Sequence, residues 1–142
     1  MTKARLRAYC DAEFENIKAV VHELKKVYKE DKSIYTVAEL AAMATFLHNV
    51  YNGWENILKR CLMMRKMRIQ DGHAWHKDLL QAALREGLVD ADLHGKLAMY
   101  LSFRHFFVHS YSFALKWTEL EPLVKNLHDT LRIFQASISR HI

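Results

Sequence analysis

Apolar residues recur at steps of three and four along almost the whole chain. The first run is Leu6, Cys10, Phe14, Ile17, Val21, Leu24 and Tyr28. At about 100° per residue, this spacing places the side chains on one face of an α-helix. The 142 residues include only four glycines and one proline, whereas an all-β chain of this length needs many more turn residues. The pattern therefore predicts an all-α fold.

Capping and turn residues divide the pattern into separate helices. The first run fades into the charged stretch KEDKS, and Thr36 with Glu39 then forms a capping-box pattern that predicts the start of a second helix. Asp71-Gly72 is typical of a turn. A shorter third helix is predicted over about residues 75–86, with Gly87 ending it.

Two further helices complete the predicted fold. Asp90 or Asp92 caps a fourth helix over about residues 93–111, and Thr118 with Glu121 repeats the capping-box pattern at the start of a fifth. Short connections favour antiparallel neighbours, so we predict an up-and-down bundle of about five helices. We see no internal repeat or domain boundary, and expect residues 1–142 to form a single domain.

Charge and composition restrict the possible partners and compartment. The chain has 21 basic and 16 acidic residues, a formal net charge of +5 that is compatible with a polyanion partner without requiring one. No run approaches the roughly 18 apolar residues of a membrane span, so no membrane partner is expected. The first residues lack a signal-peptide core, which predicts a cytoplasmic protein. Cys10 and Cys61 have no metal or redox spacing, and we expect both to be buried thiols.

The fourth helix carries an arginine in its apolar stripe. Leu97, Tyr100 and Phe107 fall within roughly 60° of Arg104, and Tyr111 falls about 20° from it, on the centre line of the stripe. A buried guanidinium without a partner would cost several kcal/mol. Two explanations remain open: an ion pair that locks two helices together, or a polar cleft.

His109 lies about 140° around the same helix from Arg104, so one straight helix cannot direct both side chains to one point. If they act together, either the helix distorts near His109 or two copies of the chain combine their residues. We therefore predict a homodimer whose two-fold axis runs close to the fourth helices. A cleft between subunits also explains why the stripe tolerates a charge.

Arg104, His109 and Tyr111 form an R-x4-H-x-Y motif at the end of the fourth helix. With the all-helical pattern, this motif resembles HEPN domains, and more closely the HepT-like ribonuclease toxins. Two other stretches are similar to that family: TFLHNVYNGWENILKR at residues 45–60 and HAWHKDLL at residues 73–80. The chain departs from many HEPN proteins directly after the arginine, where His105 replaces a small polar residue, often asparagine.

The resemblance implies an activity, partners and a form of regulation. HEPN ribonucleases cleave RNA without a metal or other cofactor, using paired motifs of a dimer. HepT-like toxins pair with a small nucleotidyltransferase antitoxin of the MNT type. In that family AMP transfer to the motif tyrosine, here Tyr111, silences the nuclease.

The chemistry of the residues agrees with this activity. Attack by the RNA 2′-hydroxyl needs a group that moves protons near neutral pH, which suits a histidine, and a fixed cation that stabilises the charged transition state. We assign His109 as general acid/base and Arg104 as the phosphate clamp, with His105 as a secondary residue that orients phosphate. The alternative from another class is a non-catalytic helical module that scaffolds or presents substrate to a partner nucleotidyltransferase.

Other polar residues receive structural explanations. The pairs His73/His76 and His105/His109 lack the further ligands of a closed metal site, so no metal is expected. We expect His76, with its neighbouring tryptophan, to cap the third helix, and His48 to be a satisfied histidine at the core boundary. The basic run KRCLMMRKMR, residues 59–68, is either a solvated helix end or a polyanion contact.

Overall fold

The computed structural model describes residues 2–69, 72 and 74–142, and all regular structure in these ranges is helical. The elements are α1 (Lys3–Val27), α2 (Val37–Met64), α3 (Trp75–Arg85), α4 (Ala91–His109), a short 3-10 helix (Ser112–Ala114) and α5 (Trp117–Ser139). This confirms the predicted all-α bundle of five helices. None of the described helices is long and apolar enough to span a membrane. Asp71 of the predicted turn, and His73, lie outside the described residues.

Capping residues begin and end the helices where local chemistry predicts. Thr36 Oγ1 accepts a hydrogen bond from the Glu39 amide at 3.1 Å, and Glu39 Oε1 accepts one from the Thr36 amide at 2.9 Å, which confirms the capping box. Asp90 Oδ1 accepts from the Leu93 amide at 2.8 Å and so caps α4. Gly87, just past α3, has a φ of 73°, which favours glycine.

The start of α5 differs from the prediction. The helix begins at Trp117, with Lys116 in the N-cap position and no capping side chain, so the predicted capping box of Thr118 and Glu121 is wrong. Burial explains the difference. Only 9% of Trp117 is exposed, and its ring lies 4.7 Å from that of Tyr35. Tertiary packing of the indole thus overrides a local cap worth about 1 kcal/mol.

Helix α2 is the centre of the bundle and contacts α1, α3, α4 and α5. The fully buried Trp54 lies 5.2 Å from the ring of Tyr100 on α4 and 5.6 Å from that of Phe134 on α5. On the opposite side α1 comes very close. A Cβ atom at Gly53 would lie 2.7 Å from Cγ1 of Ile17, so only glycine permits this approach without a shift of the isoleucine. The central position of α2 lets its polar residues reach α3 and α4.

The two cysteines lie where α1 meets α2. Cys10 and Cys61 are both buried and both free, which confirms the prediction of buried thiols. The hydrogen-bonded thiol of Cys61, and then burial, raise the pKa of Cys10. A protonated Cys10 is the form that an apolar environment favours, so this thiol acts as a small core residue.

Candidate functional site

Helix α4 ends at the motif, and this places Tyr111 away from the apolar stripe. His109 is the last helical residue, and Ser110 follows with extended backbone angles, φ −119° and ψ 156°. The expectation that Tyr111 continues the stripe is therefore wrong, because the helix stops before it. Tyr111 is 77% exposed, and its ring stacks on that of Phe113 at 5.5 Å. The phenol is accessible from solvent.

Arg104 is half-buried and has a neutral partner. Its Nε–H donates to Oδ1 of Asn52 at 3.5 Å, which is long for a hydrogen bond. Within the described residues no carboxylate forms an ion pair with Arg104. The described residues thus favour the polar-cleft explanation over a buried ion pair. The reason is position: near the end of α4 the stripe is only partly covered, with Phe107 half-buried and Val108 exposed.

The two motif histidines of α4 form a pair on the surface. His105 and His109 are both exposed, and their ring centroids lie 4.7 Å apart in an edge-to-face arrangement. This contact follows from the i, i+4 spacing on a helix. Across residues 2–69, 72 and 74–142, no three His, Cys, Asp or Glu side chains are grouped as metal ligands. His73, half of one predicted histidine pair, is not among these residues.

A groove with a volume of about 550 Å³ lies between α3 and α4. Arg104 and His105 line it from α4, and His76 and Lys77 line it from α3. His109 is described but does not contribute to the lining. The fold thus joins Arg104 and His105 in one groove and leaves His109 and Tyr111 at the open end of α4.

A row of polar residues on α2 supports this region. His48, Asn52 and Glu55 are spaced i, i+4 and i+7, so they share one face of α2. Asn52 accepts the hydrogen bond of Arg104, and the His48 ring lies 5.3 Å from that of Phe107. These three residues were not predicted as a set from the sequence. Their spacing is the signal that predicts it.

Glu55 is buried, and its partner is His76. The Glu55 carboxylate is 5% exposed and the His76 side chain 18% exposed, with Oε2 and Nδ1 only 2.7 Å apart. An ionised carboxylate only accepts hydrogen bonds, so Nδ1 carries the proton. The assignment of His76 as a helix cap is therefore wrong: the N-cap residue of α3 is Ala74, and His76 bonds to Glu55 on α2 instead.

Arg104 also influences two side chains that it does not bond. Burial, and then the positive charge of Arg104, lower the pKa of His48. Burial, and then the charge of Glu55, raise the pKa of Tyr51, while Arg104 opposes this rise. His48 Nδ1 is buried with no hydrogen-bond partner in the described structure, so the prediction of a satisfied histidine is wrong for this atom. The neutral form of His48 avoids placing a second cation beside Arg104.

The basic run at residues 59–68 is partly engaged in contacts within the chain. Lys59 Nζ lies 4.6 Å from the centre of the Trp75 ring. Arg65 Nη1 donates to the carbonyl oxygen of Glu86 at 2.6 Å. These contacts tie the end of α2 to both ends of α3. A polyanion contact of the run stays a prediction.

Comparison with known protein families places most of the chain in one family. The sequence model of a family described as HepT-like protein matches residues 42–142. The matched segment starts in α2 and continues through α3, α4 and α5, so it contains both the groove and the R-x4-H-x-Y motif. Comparisons with curated proteins and with solved structures found no match.

Proposed function

The chain belongs to the HepT-like family, and on this basis we propose that it is a toxin that cleaves RNA without a metal ion. One observation carries the proposal. Arg104 is a half-buried cation with a weak neutral partner and no ion-paired carboxylate in the described structure, next to an exposed pair of imidazoles. A guanidinium in this state is available to bind a phosphate.

The proposed reaction needs only groups that the chain supplies. His109 removes the proton from a 2′-hydroxyl, whose oxygen attacks the adjacent phosphorus. The bond from phosphorus to the 5′-oxygen breaks, and a protonated imidazole returns a proton to that oxygen, which leaves a 2′,3′-cyclic phosphate. Arg104 stabilises the extra negative charge on the phosphate oxygens during the attack, and His105 helps to orient the phosphate. The need for a 2′-hydroxyl makes the enzyme specific for RNA.

We propose that the active form is a homodimer in which two α4 helices meet. Met99 and Val108 are large apolar side chains exposed on α4, and Phe113 is exposed just after it. Such exposed groups are typical of an interaction surface. Arg104 and His109 of one chain point in different directions. In a dimer, Arg104 of one chain and His109 of its partner can line the same cleft.

Regulation is proposed to act through Tyr111 and a partner nucleotidyltransferase in the cytoplasm. The exposed phenol is open to a second enzyme. Its oxygen attacks the α-phosphorus of ATP, pyrophosphate leaves, and the phenolic proton passes to solvent. The new phosphate and the adenine then block the open end of α4, where RNA must reach His109. We take residues 1–142 as one domain with this function.

Cleavage of labelled RNA by the purified protein tests the proposal. The wild type should cleave in excess EDTA, and His109→Ala should lose at least about a hundredfold in rate, because general acid–base catalysis supplies that much. His128→Ala, on the exposed surface of α5, is the matched control and should keep full activity. Loss of wild-type activity in EDTA would contradict the metal-free mechanism. An inactive wild type that still binds a nucleotidyltransferase would favour the scaffolding alternative.

A further inference from the structure

His76 lines the groove between α3 and α4, and its buried partner Glu55 lies on α2; the proposed reaction uses neither residue. We propose that this groove binds a nucleotide of the RNA next to the cleavage site, and that His76, oriented by Glu55, binds its phosphate. This inference rests on the proposed ribonuclease function and extends it to a second contact with the substrate.

The lining of the groove matches the two parts of a nucleotide. Leu80, Ala98 and Leu101 form apolar surface, while Lys77 and Arg104 bring positive charge. A nucleotide has the same division, with a flat base that prefers apolar contact and an anionic phosphate. The volume of about 550 Å³ lies within the range of about 300–1,000 Å³ that small-molecule sites occupy.

The hydrogen bond between His76 and Glu55 orients the imidazole ring, so that its other nitrogen, Nε2, can bind a ligand. A carboxylate as buried as Glu55 is unfavourable unless a hydrogen-bond partner compensates, and the 2.7 Å contact with His76 supplies that partner. With Nδ1 bound to Glu55, Nε2 is the nitrogen left for a ligand, and His76 lines the groove. A ring that carries both protons donates Nδ1–H to Glu55 and Nε2–H to a phosphate oxygen, so that it lies between two anions. Glu55 is thus a positioning residue for His76.

The groove is continuous with the proposed catalytic region. His94, Ala98, Leu101 and His105 follow one face of α4 at steps of four, three and four, and all four line the groove. At 1.5 Å per residue they span about 16 Å along the helix. Arg104 and His105 lie at one end of the groove, and His94 lies at the other. An RNA strand bound at Arg104 can therefore continue along the groove toward the start of α4.

Binding of a non-cleavable RNA tests the site without relying on catalysis. The probe is a fluorescent oligoribonucleotide of mixed sequence with a 2′-O-methyl group at every position, followed by anisotropy. His76→Gln keeps a donor for Glu55 but removes Nε2, and should weaken binding about tenfold, as expected for the loss of one hydrogen bond to a phosphate oxygen. Ala98→Leu fills the groove independently of the pair and should weaken binding by a similar factor.

Controls separate a local effect from unfolding. Melting curves should show that both variants are folded. His128→Gln is the matched control, because His128 lines a second groove, between α1 and α5, together with His22 and other basic residues. It should leave the affinity for the probe unchanged. A further readout is the His76 ring signal in NMR spectra, which should move on addition of probe to the wild type and stay fixed in Glu55→Gln, where the ring loses its charged anchor.

The outcomes distinguish this inference from the function on which it rests. If the wild type cleaves RNA while folded His76→Gln and Ala98→Leu bind the probe like the wild type, the nucleotide site is wrong and the ribonuclease function stands. If both variants lose affinity and the wild type cleaves nothing, the groove binds RNA and the ribonuclease function is wrong. Weaker binding in His128→Gln alone would place the RNA in the α1–α5 groove and overturn the inference.

Discussion

Replacing Arg104 by methionine should remove activity and leave the fold almost unchanged. Methionine keeps most of the apolar stem of the side chain, so packing is largely retained. The change removes one 3.5 Å hydrogen bond to Asn52, which is worth about 0.5 kcal/mol at that length. A buried ion pair would lose about 3–5 kcal/mol on removal of one partner. We therefore expect a loss of stability below about 1 kcal/mol.

Thermal melting and RNA cleavage test the two parts of this prediction, unchanged stability and lost activity. For a chain of this length about 1 kcal/mol corresponds to roughly 3 °C in melting temperature, so the Arg104→Met transition should lie within about 4 °C of the wild type. RNA cleavage should fall by about a hundredfold or more, because a fixed cation at the transition state is lost.

Arg60→Met is the matched control for the Arg104 variant. Arg60 is also half-buried, and its guanidinium lies 4.4 Å from the centre of the Tyr9 ring, far along α2 from the motif. This variant should keep its activity. A fall of more than about 10 °C in Arg104→Met would correspond to several kcal/mol and would show that the arginine is structural.

Three further predictions concern other parts of the site. Tyr111→Phe should cleave RNA like the wild type but gain no AMP mass after incubation with ATP and the cognate nucleotidyltransferase; an inactive or still modified variant would contradict the assignment of this phenol. Light scattering at micromolar concentration should give the mass of two chains, and Val108→Asp should give one; a monomeric wild type would exclude the shared cleft. Lowering the pH from about 7.5 to 5.5 should destabilise the wild type more than His48→Gln. The pKa of His48 is lower in the folded chain than in the unfolded chain, so below about pH 6.5 the unfolded chain binds more protons and is favoured. Equal losses in denaturant melts would show that His48 contributes nothing to the pH dependence.

Local patterns predicted the helices because each helix buries one face. The spacing of apolar residues sets which side chains can share a core, and the caps of α2 and α4 depend on hydrogen bonds within three residues of each other. The same local reasoning failed at α5. There the burial of Trp117 against other helices, a contact between distant parts of the chain, decided where the helix begins.

The sequence also singled out Arg104, His105, His109 and Tyr111, because a charged and histidine-rich motif at the end of an apolar helix is unusual and resembles one family. The sequence did not show that α4 ends at His109. Tyr111 was therefore predicted to lie on the apolar stripe of α4, although the helix ends two residues before it. The sequence also left open whether Arg104 had a carboxylate partner. That question depends on which residues of α2 face α4, and no local rule determines it.

The sequence by itself determined the helical class, most helix limits and the motif, since these follow from periodicity and from contacts a few residues apart. Tertiary structure alone decided which distant side chains meet. Glu55 and His76 are 21 positions apart, and Asn52 and Arg104 are 52 apart. Each pair forms because the central helix α2 turns one polar face toward α3 and α4. Partners at such separations depend on helix rotation and packing, which the whole core sets at once.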